Sequence, residues 1–206
     1  LNFIKSREPQ HYAQAMAWLD GMADVPQPAV DETALELAAE LESKLNAANE
    51  INAAGLYFGD QVIIPANRGF LFEALVKVSG CTTAEAVIIG MGTAYNDTWD
   101  SVVQNAWFKL AASLALLGEP DDATTDSDDQ ATGTTLVADT YYVFRIDATD
   151  KSAVQFFIDD NLLLTLSATE WAVTHLLQPI IAIRKASGTT VPSLTCDWLR
   201  LLWQRS

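Results

Sequence analysis

The stretch from Tyr141 to Trp203 is a succession of short strands divided by turns, and this leaves few folds open to the chain. Tyr142, Phe144 and Ile146 alternate with Arg145 and Asp147, the period of two that sends apolar side chains to one face of a strand. After the turn at residues 147–152, Val154, Phe156 and Ile158 alternate with Gln155 and Phe157. Asp159-Asp160-Asn161 then turns the chain into Leu162–Leu166, because Asp and Asn tolerate the left-handed dihedrals of tight hairpins. Pro179 opens a strand through Ile183 that ends at Arg184-Lys185, and Leu194 to Trp203 forms the closing strand. Many short strands at such spacing predict an antiparallel β-sandwich.

The same period begins earlier. Phe70, Phe72, Ala74, Val76 and Val78 share one side of a strand, with Glu73 and Lys77 on the other, so a sheet with one buried face is expected. Residues 86–91 form a buried strand, and residues 106–117 supply one or two more, although their alanines and leucines also allow helix. Residues 118–133 are expected to be one long polar loop.

The first fifty residues differ. Pro9, then Tyr12, Ala15, Met16 and Leu19, then Gly21 have the start, spacing and stop of a short helix. Val25-Pro-Gln-Pro28 is an extended linker. Thr33 and Glu36 make a capping box, followed by Ala34, Ala38, Leu41, Leu45 and Ala48 on one helical stripe. The expected organisation is a helical arm over residues 1–50 and a mainly β sandwich over 51–206. The stripe packs on the main domain or meets a neighbouring subunit.

Half of the 206 residues are hydrophobic, enough for a sizeable core, and the net charge is −15. Such a surface repels phosphate backbones and anionic lipid, which makes nucleic acid and membranes poor partners. No apolar stretch approaches the ~20 residues of a membrane-spanning helix. Cys81 and Cys196 form no disulfide framework, and two reduced, half-buried thiols fit a reducing cytoplasm.

Taken together, the strand Phe72-Glu-Ala-Leu-Val-Lys-Val78, the hairpin Phe156-Phe-Ile-Asp-Asp-Asn-Leu-Leu-Leu164, the returning Leu177-Gln-Pro-Ile-Ile-Ala-Ile183 and the terminal Cys196-Asp-Trp-Leu-Arg-Leu-Leu-Trp203 resemble concanavalin A-like (laminin-G-like) jelly rolls. Within that group the pattern is most similar to structural proteins of tailed bacteriophage virions, whose domain often opens like Gly55-Leu-Tyr-Phe58. The likeness covers residues 55–203. Asp160-Asn161 stands where Asp-Gly is usual. The resemblance implies a non-enzymatic capsid decoration or cement protein on the virion head, assembled in the host cytoplasm. Its partners would be the major capsid protein or another virion protein, and further copies of itself, a trimeric ring being one closed arrangement. The other function implied by the fold is a lectin-like, calcium-dependent module of a head or tail fibre.

The candidate chemistry is sparse. Glycosidases of this fold need paired carboxylates across a glycosidic bond, and the Glu-x-Asp-x-x-Glu pattern of the related glucanases does not occur. Asp121, Asp122, Asp126, Asp128 and Asp129 could offer oxygen ligands to Ca²⁺, but in Thr- and Ser-rich company they read first as a solvated loop, without EF-hand order. His11 and His175 have no zinc-ligand spacing. Of six tryptophans, Trp198 and Trp203 fall on opposite faces of the closing strand. Trp18, Leu41, Leu45, Trp171 and Trp203 are the candidates for subunit contacts, because Trp is enriched there.

Overall fold

A computed structural model describes residues 32–44, 47, 52–82, 85–96, 98–110, 112–122, 124, 127, 129–150, 153–167 and 175–204. These residues form thirteen strands: β1 (Glu32–Lys44), β2 (Asn52–Tyr57), β3 (Ile64–Pro65), β4 (Phe70–Val78), β5 (Glu85–Gly92), β6 (Gln104–Leu110), β7 (Ala115–Asp122), β8 (Gln130–Thr135), β9 (Tyr141–Asp147), β10 (Ala153–Ile158), β11 (Asn161–Ser167), β12 (Leu176–Lys185) and β13 (Ser193–Gln204). A six-stranded sheet runs β1-β13-β4-β9-β10-β11, and a seven-stranded sheet runs β2-β12-β5-β6-β7-β8 with β3 beside β12. Every strand pair is antiparallel. The mainly β sandwich expected from the sequence is the fold observed.

The main core lies between the sheets. Phe70, Phe72, Phe144, Ile146 and Phe156 from one sheet meet Val87, Ile89, Met91, Phe108 and Ile181 from the other. Phe108 packs edge-on against both Phe144 and Phe156, with ring centroids 5.3 and 5.1 Å apart, a favoured aromatic geometry. On β4 burial alternates strictly from Phe70 to Val78, as the period of two requires. The β10–β11 turn is also as read: Asp159 and Asp160 have φ of 47° and 65°. Asp159 Oδ1 accepts a hydrogen bond from the Val143 N–H at 2.8 Å, which clips the turn to β9.

Three local expectations are corrected. The stripe from Ala34 to Ala48 is not helical where it is described: Glu32–Lys44 is a strand on the free edge of β13, with Leu35 opposite Leu201 and Leu37 opposite Leu199. The segment carries both periods, since Leu35, Leu37 and Leu41 are also even numbers of residues apart. An open edge offering a long ladder outweighs the helical propensity of alanine and glutamate. One extra residue in β1 between Ala38 and Leu41 absorbs the mismatch as a bulge,. The sheet therefore includes residues that the sequence reading placed in the arm. The helix expected over residues 9–21 lies outside the described residues.

The long polar loop is also shorter than expected. β7 continues to Asp122 and β8 begins at Gln130, because both pair onto the sheet edge despite their polar sequences. Pro179, expected to open a strand, lies inside β12. It falls between the residues paired with β3 and those paired with β2, so its missing N–H interrupts no ladder on that side.

Candidate functional site

The outward face of the seven-stranded sheet is the first place to look for chemistry. Register puts Gln178, Ile180 and Ala182 of β12, Ile88, Gly90 and Gly92 of β5, Asn105, Trp107 and Lys109 of β6, and Glu119 and Asp121 of β7 on that face. Exposed to water it would be a groove of aromatic and carboxylate groups. Instead the segment after β5 folds back across it. Trp99 and Val102 join Ile88, Trp107, Ile180 and Ala182 in a second buried cluster.

Two glycines make this possible. A Cβ on Gly90 would come within 2.4 Å of the Ala106 carbonyl oxygen and 2.5 Å of Trp107 Cα, so β5 and β6 approach as only glycine allows,. A Cβ on Gly92 would meet the Trp107 ring at 3.0 Å, so the indole lies where a side chain would stand. Trp107 is fully buried, and among the described residues neither its Nε1–H nor that of Trp99 finds an acceptor.

The carboxylates are engaged as well. Lys109 Nζ lies 2.8 Å from Glu119 Oε2 and 3.0 Å from Asp129 Oδ1. Glu119 is buried, so its charge is held by an ion pair rather than offered to solvent,. At the other end of the face Gln178 ties three segments together. Its Oε1 accepts from the Phe58 and Asp60 N–H groups, and its Nε2 donates to Asp60 Oδ1 at 2.9 Å. Asp60 Oδ1 also accepts from the Tyr95 N–H, and Tyr95 stacks on Tyr57 with centroids 4.6 Å apart.

The outward face of the six-stranded sheet is built differently. Register brings Trp198, Arg200 and Leu202 of β13 beside Leu75, Glu73 and Leu71 of β4, then Val143, Arg145 and Asp147 of β9. All nine are only half-buried. Charges cross the sheet with alternating sign: Arg200 Nε lies 3.2 Å from Glu73 Oε2, and Arg145 lies 2.6 Å from Asp160 Oδ1 with its guanidinium 3.9 Å over the Phe157 ring.

Of the residues singled out in the sequence, Asp121 and Asp122 end β7, half-buried, and Asp122 Oδ1 accepts from the Thr124 N–H. Asp129 is in the turn before β8, bound to Lys109. Asp126 and Asp128 lie outside the described residues. Among the described residues no group of three or more His, Cys, Asp or Glu side chains converges as metal ligands would. Trp203 packs against the main core, while Trp198, on the opposite face, is the outward one. Leu41 stands opposite Cys196 in β1, and Trp18, Leu45 and Trp171 lie outside the described residues. His175 is exposed at the start of β12. Both cysteines are free and buried. Burial, and then the neighbouring Asp197 charge, push the Cys196 thiol from 9.0 up to about 12.

The sequence reading missed the Lys109–Glu119 pair, the Gln178 knot and the burial of Trp107 under Trp99 and Val102. Gln178 reaches Asp60 across 118 residues, while Lys109 and Glu119 meet only through the register of β6 on β7, and only the alternation of Gly90 and Gly92 hinted at a close approach.

Many solved structures share this arrangement. An endo-acting O-glycanase of the human gut microbiota superposes with a TM-score of 0.63 at 8% identity, over 81% of this chain and 80% of that one. The Emp47p carbohydrate recognition domain matches at 0.57 and 9%, over 88% and 92%. The endo-β-1,3-glucanase of Pyrococcus furiosus matches at 0.59 and 14%, over 81% and 76%. The likeness is one of fold. It is the concanavalin A-like jelly roll, common to carbohydrate-binding domains and glycoside hydrolases, and identities this low carry no activity across. No family model matches the chain, and no curated protein matches it by sequence.

Proposed function

We propose that this chain is a non-catalytic structural protein of a tailed-phage particle, a decoration or cement subunit on the head that acts through contacts with the major capsid protein and with its own copies. The observation that supports this most directly is the occupied face of the seven-stranded sheet. Trp99, Val102 and Trp107 fill it, and Glu119 is neutralised by Lys109. Hydrolysis of a glycoside needs two carboxyl groups flanking an open cleft, and here the chain's own side chains occupy that space. The resemblance of residues 55–203 to virion jelly rolls gives the direction, and the net charge of −15 suits a particle surface that avoids nucleic acid and anionic membranes.

The test is a mass-spectrometric protein inventory of particles purified from the source cells, with antibody labelling of intact heads. We expect the chain at a copy number comparable to the capsid protein and labelled on the outside. Its absence from purified particles would end this reading.

A second reading, a glycan-binding module, is favoured by the match to the Emp47p carbohydrate recognition domain along 92% of that chain. A glycan array probed with and without Ca²⁺ separates the two. Saturable binding to a defined glycan favours the module, and silence favours the structural role.

A further inference from the structure

The six-stranded sheet presents an apolar face crossed by charges of alternating sign, and nothing in the glycan or catalytic readings uses it. We propose that this face is a two-fold self-association surface, on which a second copy of the chain lays its own β13–β4 face.

The pattern is complementary to itself. Place a two-fold axis parallel to the strands, midway between β13 and β4. Each residue of β13 then lies over the β4 residue that is its own register partner, but in the other copy. Trp198 meets Leu75, Leu202 meets Leu71, and Arg200 meets Glu73. Each contact is apolar on apolar or opposite in charge. Within one copy Arg200 and Glu73 already lie 3.2 Å apart, so two copies close four charges into a square of alternating sign. A foreign partner has no reason to repeat that order. A second copy repeats it by symmetry.

The dimensions also suffice. About that axis four strands overlap their copies, β1, β13, β4 and β9; spaced about 4.8 Å apart, with about nine residues each rising 3.3 Å, they outline roughly 570 Å² per copy, about 1,100 Å² in total and above the ~1,000 Å² that a specific interface clears. Sheets facing one another in this way pack aligned, within about 30°. The buried centre would hold Trp198, the residue type most enriched in interface hot spots, with the ion pairs fixing orientation.

This pairing is independent of the virion reading, since it concerns only how two copies meet. The experiment is sedimentation-velocity analysis of the full chain at micromolar concentration, with circular dichroism to check folding. Wild type is expected to be dimeric. Leu75→Arg, on the outward face and away from the main core, is expected to be folded and monomeric. The decisive step is a charge exchange. Glu73→Arg sets four arginines at the centre of a homodimer, and Arg200→Glu sets four glutamates, so each variant alone is expected to weaken self-association at least tenfold. Mixed in equal amounts, the two variants restore both cross-copy pairs and are expected to recover the dimer as a heterodimer. A monomeric wild type overturns the proposal. So does a Leu75→Arg dimer, or a mixture of the charge variants that stays monomeric. If one charge variant fails to fold, the Leu75→Arg result alone decides.

Discussion

The two outward faces of the sandwich have received opposite treatments. On the seven-stranded sheet, Ile88, Trp107, Ile180 and Ala182 are covered by the chain's own Trp99 and Val102, and the face has become a second core. On the six-stranded sheet, Trp198, Leu75, Leu71 and Leu202 remain half-exposed among Arg200, Glu73 and Arg145. Strand content and alternation are similar, so neither explains the difference. The connection between β5 and β6 does: it carries a tryptophan and a valine back over glycines. In the fold's relatives named as enzymes and carbohydrate recognition domains, as here, the scaffold is two stacked sheets. What a face can do depends on what returns to cover it.

The contrast is open to attack by mutation. The largest effect should come from the covered face: Trp107→Ala is expected to cost about 3–5 kcal/mol, read as the denaturant midpoint at constant slope. Trp107→Phe should cost far less, since among the described residues the indole N–H has no acceptor to lose. Next, Lys109→Met removes the ammonium that lies 2.8 Å from the buried Glu119 carboxylate and should cost about 3 kcal/mol. Gly90→Ala forces β5 from β6 and should cost about 1–3 kcal/mol. A drop in melting temperature no larger than that of a surface substitution would show that the strands can part freely.

The smallest effects belong elsewhere. Cys196 is held neutral in the folded chain with its thiol pushed up to about 12, whereas the unfolded thiol ionises near 9. Its contribution to stability is therefore complete below pH 9 and is lost as pH rises toward 12. A Cys196→Val variant should show a shallower loss of stability over that window in alkaline titration. Leu75→Ser, on the uncovered face, should change monomer stability by less than about 1 kcal/mol. If it matched the Trp107→Ala loss, the distinction between the two faces would collapse.

Much of the sandwich was legible because its strands carry one period only. Phe70 to Val78 and Tyr142 to Ile158 alternate without ambiguity, and Asp159-Asp160 can hardly do anything but turn. The misreadings came where residues satisfy two patterns or where the deciding partner is remote. Residues 32–44 fit a helical stripe and a strand equally well, and the open edge of β13 settled the matter from about 160 residues away, a cross-chain pairing no local pattern encodes. Residues 118–122 and 130–133 looked like loop because a sheet edge tolerates polar strands. The site was far less readable. Glu119 resembles a loop carboxylate until β6 brings Lys109 beside it, and Gln178 gains meaning only when Asp60 and Tyr95 arrive from two other connections.

The β1–β13 seam sets how the molecule would behave under load. Glu32 stands opposite Gln204 and Lys44 opposite Ser193, so the two ends of the described chain leave the sandwich from the same corner. Tension applied between them would peel β1 from β13 one rung at a time, like a zipper, and would not shear all the rungs together. An attachment at only one of those ends would leave that seam unstrained.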